Sequence, residues 1–140
     1  MDIEDITYRI IGAAYTVHNT LGPGLLESCY EEAMIIQLTE AGLRTQRQVA
    51  LPIYYHGQKL ESGLRRDLLV ENTVVVELKS VETLLPVHHK QLLSYLKIAE
   101  KPVGLLINFN EDNLRHGLSR KLNGFYPSCA GTIPDDIPEN

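Results

Sequence analysis

Apolar residues at Ile3, Ile6, Ile10, Ala13, Ala14, Val17 and Leu21 recur every three or four positions and predict an amphipathic helix over roughly residues 3–20. Gly22, Pro23 and Gly24 interrupt it. A second helical stripe follows from Leu25 to about Ala41, through Leu26, Tyr30, Ala33, Met34 and Leu38, with Gly42 as its stop. From Gln46 the period falls to two: Val49, Leu51, Ile53 and Tyr55 alternate with other residues, and "HGQK" reads as a turn. Two further strands are expected at about 63–70 and 73–79, closed by a tight Glu71-Asn72 turn. "PVHHKQLLSYLKIAE" returns to helical spacing through Val87, Leu92, Tyr95, Leu96 and Ala99. "VGLLINF", Val103 to Phe109, is an apolar run of strand length, suited to burial on both faces. Arg115 to Leu122 reads as one more edge element. The order helix, helix, three strands, helix, strand predicts an α/β protein in which a small mixed sheet is flanked by helices. Residues 1–122 are expected to form one domain, and the Pro-rich, acidic stretch 123–140 a loosely ordered tail.

The chain of 140 residues is long enough to bury a core without metal or disulfide staples. Cys29 and Cys129 show no CxxC or metal-type spacing, so reduced thiols in a cytoplasmic protein are expected. No apolar run is long enough to span a bilayer, and the acidic start "MDIEDITYRI" does not resemble a secretory signal. A net charge of −5 argues against a module that grips nucleic acid by bulk charge. It leaves room for an enzyme that acts on nucleic acid, because metal-binding carboxylates themselves add negative charge.

The segment "RRDLLVENTVVVELKS", Arg65 to Ser80, puts Asp67, Glu77 and Lys79 into strands, where unpaired charge is costly. Alternation sends Glu77 and Lys79 to one face and Leu78 to the other. Asp67 stands opposite Glu77 only if the intervening loop holds an odd number of residues. A three-residue Glu71-Asn72-Thr73 loop, with Asn72 in a left-handed conformation, achieves this, whereas a two-residue turn sets Asp67 opposite Val76. Two carboxylates and an ammonium on one face suit a hard divalent cation and the hydrolysis of a phosphodiester. On spacing alone, E-x-K is also a common solvated strand face with a weak ion pair.

"GPGLLESCYEEA" contains Gly24-x-x-Glu27-x-x-Tyr30 and resembles the signature of the GxxExxY protein family. The resemblance runs from about Asp5 to Leu122, through "RRDLLVENTVVVELKS", "HHKQLLSYLK" and "VGLLINFN". That family is grouped with the PD-(D/E)XK nuclease superfamily, so the resemblance implies a restriction-endonuclease-like core of order αβββαβ. Gln91 to Tyr95 is similar to the Q-x-x-x-Y helix motif of RecB-like nucleases. The resemblance further implies that Asp67, Glu77 and the Leu78 carbonyl bind Mg²⁺ or Mn²⁺, with Lys79 as the catalytic lysine. Glu27 completes the site, and Gln91 and Tyr95 face substrate or steady the site. Arg66 stands where the superfamily name has proline, and is expected to contact substrate. The implied partner is nucleic acid, DNA in preference to RNA, with no membrane. Small nuclease-like domains often need a second copy to hold a duplex, so a homo-oligomer is an open expectation.

Plainer readings stand beside these. Glu27 in a first helical turn suits the helix dipole, and Tyr95 and Tyr30 both lie in apolar stripes. Adjacent His88 and His89 point about 100° apart on a helix and cannot share one ion; solvent exposure or a phosphate contact by His88 fits them better. Arg47, Arg65, Arg66 and Lys90 are a basic rim or ordinary surface charge. A nuclease-fold module that binds without cleaving, or a hydrolase of another phosphoester, also remains open.

Overall fold

The computed structural model describes residues 1–61 and 63–124; of these, the side chains of Val49, Leu64, Arg65 and Arg66 are not described. Cys129 and nearly all of the expected tail therefore lie outside the described residues. Two helices, α1 (Ile3–Leu21) and α2 (Glu27–Glu40), precede β1 (Thr45–Leu51), a small hairpin of β2 (Tyr54–Tyr55) and β3 (Gln58–Lys59), then β4 (Leu64–Val70) and β5 (Val74–Lys79). Helix α3 (Pro86–Ala99), β6 (Val103–Asn108), a 3-10 turn (Leu114–Gly117) and β7 (Leu118–Leu122) complete the order. Three α-helices and a mixed sheet of parallel and antiparallel strands make the described residues an α/β arrangement. Among the described residues, no helix is long and apolar enough to cross a membrane.

The main sheet runs β1-β4-β5-β6-β7, with β5 and β6 parallel and the other neighbours antiparallel. Strand parity divides the core. Val74, Val76 and Leu78 pack with Ile10, Tyr30 and Met34 of α1 and α2, whereas Val75 packs with Leu92 and Leu96 of α3. Central β5 and β6 are apolar on both faces because helices cover both, as a buried parallel pair requires. Gly104 makes the close fit of α3 possible: a Cβ there would lie 2.7 Å from the Leu92 side chain.

Two elements depart from the sequence expectation. The strand read from Gln46 to Tyr55 breaks at Pro52, which has no N–H to give a ladder, and Tyr54 and Tyr55 leave to form a separate two-stranded sheet. Gln58 and Lys59, expected in a turn, are its second strand, and His56 and Gly57 alone make the turn with φ of 50° and 76°. The chain also stays anchored into the expected tail: Asn123 donates to the carbonyls of Leu96 and Lys101.

Candidate functional site

The β4–β5 hairpin is closed by the three residues Glu71, Asn72 and Thr73, and not by a tight two-residue Glu71-Asn72 turn. Val70 pairs with Val74, Leu69 with Val75 and Leu68 with Val76. Glu71 and Asn72 both adopt left-handed φ, 51° and 53°, and Thr73 N–H returns to the Val70 carbonyl. Continuing that register by one step sets Asp67 opposite Glu77. Both share the parity of Leu69 and Val75, so they face α3, and so does Lys79.

At this step side chains replace the regular ladder. Asp67 Oδ2 accepts from Leu78 N–H at 2.8 Å, and Glu77 Oε1 accepts from Asp67 N–H at 3.4 Å. The Lys79 carbonyl is taken by Phe109 N–H of the β6 segment. Carbonyls alternate along a strand, so that of Leu78 faces the β4 side, where Asp67 stands. Across β4, pairing with β1 skips one step between Arg47–Leu68 and Val49–Arg66. The residue at the skipped step, Gln48, has φ 46°, an uncommon conformation for a residue with a side chain.

Glu27 arrives from α2, on the other face of the sheet. Ser80 Oγ donates to the Leu25 carbonyl at 2.6 Å, tying the end of β5 to the start of α2. Tyr30 is buried, stacks on Phe109 with ring centroids 4.5 Å apart, and its hydroxyl bridges the Gly22 carbonyl and Leu25 N–H. Tyr30 is thus a structural brace for the loop that delivers Glu27. Gly24, with φ 98°, gives that loop a turn other residues adopt poorly.

Burial raises the proton affinity of Glu77 most, and the Asp67 charge adds to it, carrying its pKa to about 8 despite the opposing pull of Lys79. Asp67 and Glu27 are also raised, chiefly by burial; Lys79 lowers both, and Leu78 N–H lowers Asp67. The Tyr95 hydroxyl is raised by burial and then by the charges of Glu77 and Asp67. The electrostatics therefore join Glu27, Asp67, Glu77, Lys79 and Tyr95 into one cluster. Gln91, one turn before Tyr95, is exposed and makes no hydrogen bond to the carboxylates among the described residues. The Arg66 side chain lies outside the described part. His88 Nδ1 accepts from Leu85 N–H at 3.0 Å and so caps the start of α3 from a part-exposed position.

Three residues of this region went unread in the sequence. Glu31 is buried one turn beyond Glu27, paired with Arg47 Nε at 2.8 Å and Gln48 Nε2 at 3.2 Å, and its charge reaches both Glu27 and Asp67. Its i, i+4 spacing from Glu27 was a usable signal. Asn108, beside Lys79 in the parallel pair, is fully buried; its side chain bonds both the N–H and the C=O of Val81 and fixes the chain leaving β5. An amide ending an apolar run hints at such a role. No sequence signal announces Gln48.

Among the described residues no group of three or more His, Cys, Asp or Glu side chains is placed to hold a metal ion. The donors available at the β4–β5 step are two carboxylates and a main-chain carbonyl, all oxygen. A family model for the PD-(D/E)XK nuclease superfamily matches residues 4–121. Neither the curated proteins nor the solved structures searched contained a match.

Proposed function

Since the chain belongs to the PD-(D/E)XK nuclease superfamily, we propose that it hydrolyses phosphodiester bonds of nucleic acid, DNA in preference to RNA, at the Asp67–Glu77–Lys79 step. The observation that most supports this reading is the three-residue loop, whose register sets Asp67 against Glu77 on the face that also carries Lys79. Within the superfamily, the braced Gly24–Tyr30 segment that delivers Glu27 supports the narrower resemblance to the GxxExxY family.

The residues fit a hard divalent cation, Mg²⁺ or Mn²⁺. Asp67, Glu77 and the Leu78 carbonyl would hold it as an all-oxygen set that leaves the remaining positions to water. Burial, chiefly, makes each of the three carboxyls hold its proton too tightly, and neighbouring carboxylates add to this while Lys79 opposes it. Bound there, such an ion would neutralise charge on the phosphoryl oxygens and make water a better nucleophile. The Leu78 N–H fixes Asp67, and Lys79 orients the attacking water and offsets the negative charge of the transition state. Glu27 steadies that water from the α2 side. Tyr95 keeps its proton to higher pH than an ordinary tyrosine and donates it as a hydrogen bond toward the phosphate. Gln91 meets the substrate from the rim of α3, and Arg66 contacts phosphate.

Labelled single- and double-stranded DNA and RNA, incubated with the protein and Mg²⁺ or Mn²⁺, test this directly. Cleavage is expected to fall by about 10²–10³-fold in Lys79→Ala and Asp67→Asn. Cleavage that survives both substitutions refutes the assignment. Binding without cleavage under every condition makes the chain a nuclease-fold binding module.

A further inference from the structure

The β2–β3 hairpin is built as a projection. His56 and Gly57, both at positive φ, form the tight two-residue turn that hairpins favour, and Leu60 N–H closes its base on the Ile53 carbonyl at 2.8 Å. So short a hairpin contributes little stability of its own. Yet it carries two large aromatic side chains that the core does not use: Tyr54 is 62% exposed and Tyr55 67%. Consecutive strand residues point to opposite faces, so both sides of the arm present a ring. Lys59, cross-strand from Tyr54, has no ion-pair partner among the described residues.

Charge and position identify what these rings face. From Leu43 to Leu60 the chain carries Arg44, Arg47 and Lys59 and no Asp or Glu, in a protein of net charge −5; Arg44 and Arg47 are ion-paired with Glu71 and Glu31, which leaves Lys59 as the cation of the arm itself. Strands β1 and β4 lead from the base of the arm to Gln48 and Asp67. The three strand steps from Leu64 to Asp67 span about 10 Å. At the base, Leu51, Pro52, Leu60 and Gly63 help to line a cleft of about 310 Å³, with Lys59 and Glu61 also in its wall. Exposed aromatic faces beside the Lys59 ammonium, next to a path to a phosphodiester-cleaving step, suit unpaired bases on an anionic backbone. A duplex keeps its bases stacked on each other and offers no faces to Tyr54 and Tyr55.

Resting on the nuclease reading above, we propose that the β2–β3 hairpin is a base-stacking arm for single-stranded nucleic acid that leads the strand to Asp67 and Glu77. The chain has no tryptophan, so Tyr54→Trp installs a single indole reporter on the arm. In the full chain with chelator, oligo(dT) and oligo(rU) of roughly 16 nucleotides, near the upper site size for single-strand binding, are expected to quench that indole. A matched duplex is expected not to. By anisotropy, Tyr54→Ala and Tyr55→Ala should each weaken single-strand affinity by roughly 5- to 150-fold, as loss of one base–aromatic stack does, whereas Tyr54→Phe and Tyr55→Phe retain it. Unchanged affinity in the double alanine variant, or indole quenching by duplex alone, overturns the proposal. So does a concentration-dependent dimer that the double alanine variant abolishes, since the rings then belong to a second copy. Stacking is read without cleavage, so an Asp67→Asn protein that still quenches separates this arm from the fate of the catalytic assignment.

Discussion

Glu77 offers a test that needs neither substrate nor metal. It is a buried carboxyl, 5% exposed, whose pKa rises from its ordinary 4.5 to about 8. Between those values the folded protein holds a proton that the unfolded chain has released. Stability therefore falls as pH rises through this window, and the penalty is complete above pH 8. At roughly 1.36 kcal/mol for each pH unit, the linkage reaches an upper limit of about 5 kcal/mol. That is a large share of the roughly 5–15 kcal/mol that holds a domain together.

Glu77→Gln keeps the shape and removes the proton, so it should abolish most of this slope. Urea unfolding of both proteins, in chelator at pH values from about 5 to 9, measures it. Titration of groups remote from Glu77 is common to both and cancels in the difference. With m near 2 kcal/mol/M, the wild-type midpoint is expected to drop by about 1–2.5 M relative to the variant between the two ends. The loss of one charge should also lower the proton affinity of Asp67 and Glu27. A difference that stays flat with pH, or that grows in favour of wild type as pH rises, would refute the picture of Glu77 as a carboxyl strained by burial and by Asp67.

Three other perturbations probe the supports of the site. Gly104→Ala should destabilise by about 1–3 kcal/mol, because its Cβ would meet Leu92 at 2.7 Å; in thermal unfolding, the double variant with Leu92→Ala should cost less than the sum of the singles. Asn108→Leu leaves the Val81 N–H and C=O without their side-chain partner and should cost about 2–5 kcal/mol in urea unfolding, with hydrogen exchange rising at the residues after Lys79. Arg47→Ala leaves Glu31 buried without its guanidinium and should cost about 1–3 kcal/mol; Arg47→Ala with Glu31→Gln should recover much of that loss, and a double variant no better than the single would refute the pairing as the cause.

Periodicity is a record of which side of an element meets the core, and that record was readable here. The stripe of Ile6, Ile10 and Val17 and the apolar run from Val103 to Ile107 are where helix and strand form, because helical and strand spacing each leave a distinct trace in hydrophobicity. Register was readable only as a condition, since parity ties the alignment of Asp67 with Glu77 to the loop length, and the three-residue loop emerged only in the fold. Hydrophobic alternation is blind, however, to hydrogen-bond donors. Val49, Leu51, Ile53 and Tyr55 alternate without a fault across Pro52, yet the strand ends there because a proline cannot donate to the ladder. It is equally blind to backbone conformations that the surroundings impose. Gln48 has no intrinsic preference for φ 46°, and its partner Glu31 comes from a helix on the far side of the sheet. The site is drawn from both classes: Asp67, Glu77 and Lys79 follow from parity within one hairpin, whereas Glu27, Glu31 and Tyr95 reach it through tertiary packing. Single-strand periodicity therefore locates the hairpin that bears the charges. Only the folded arrangement brings α2 around the sheet edge and sets Gln48 beside Asp67.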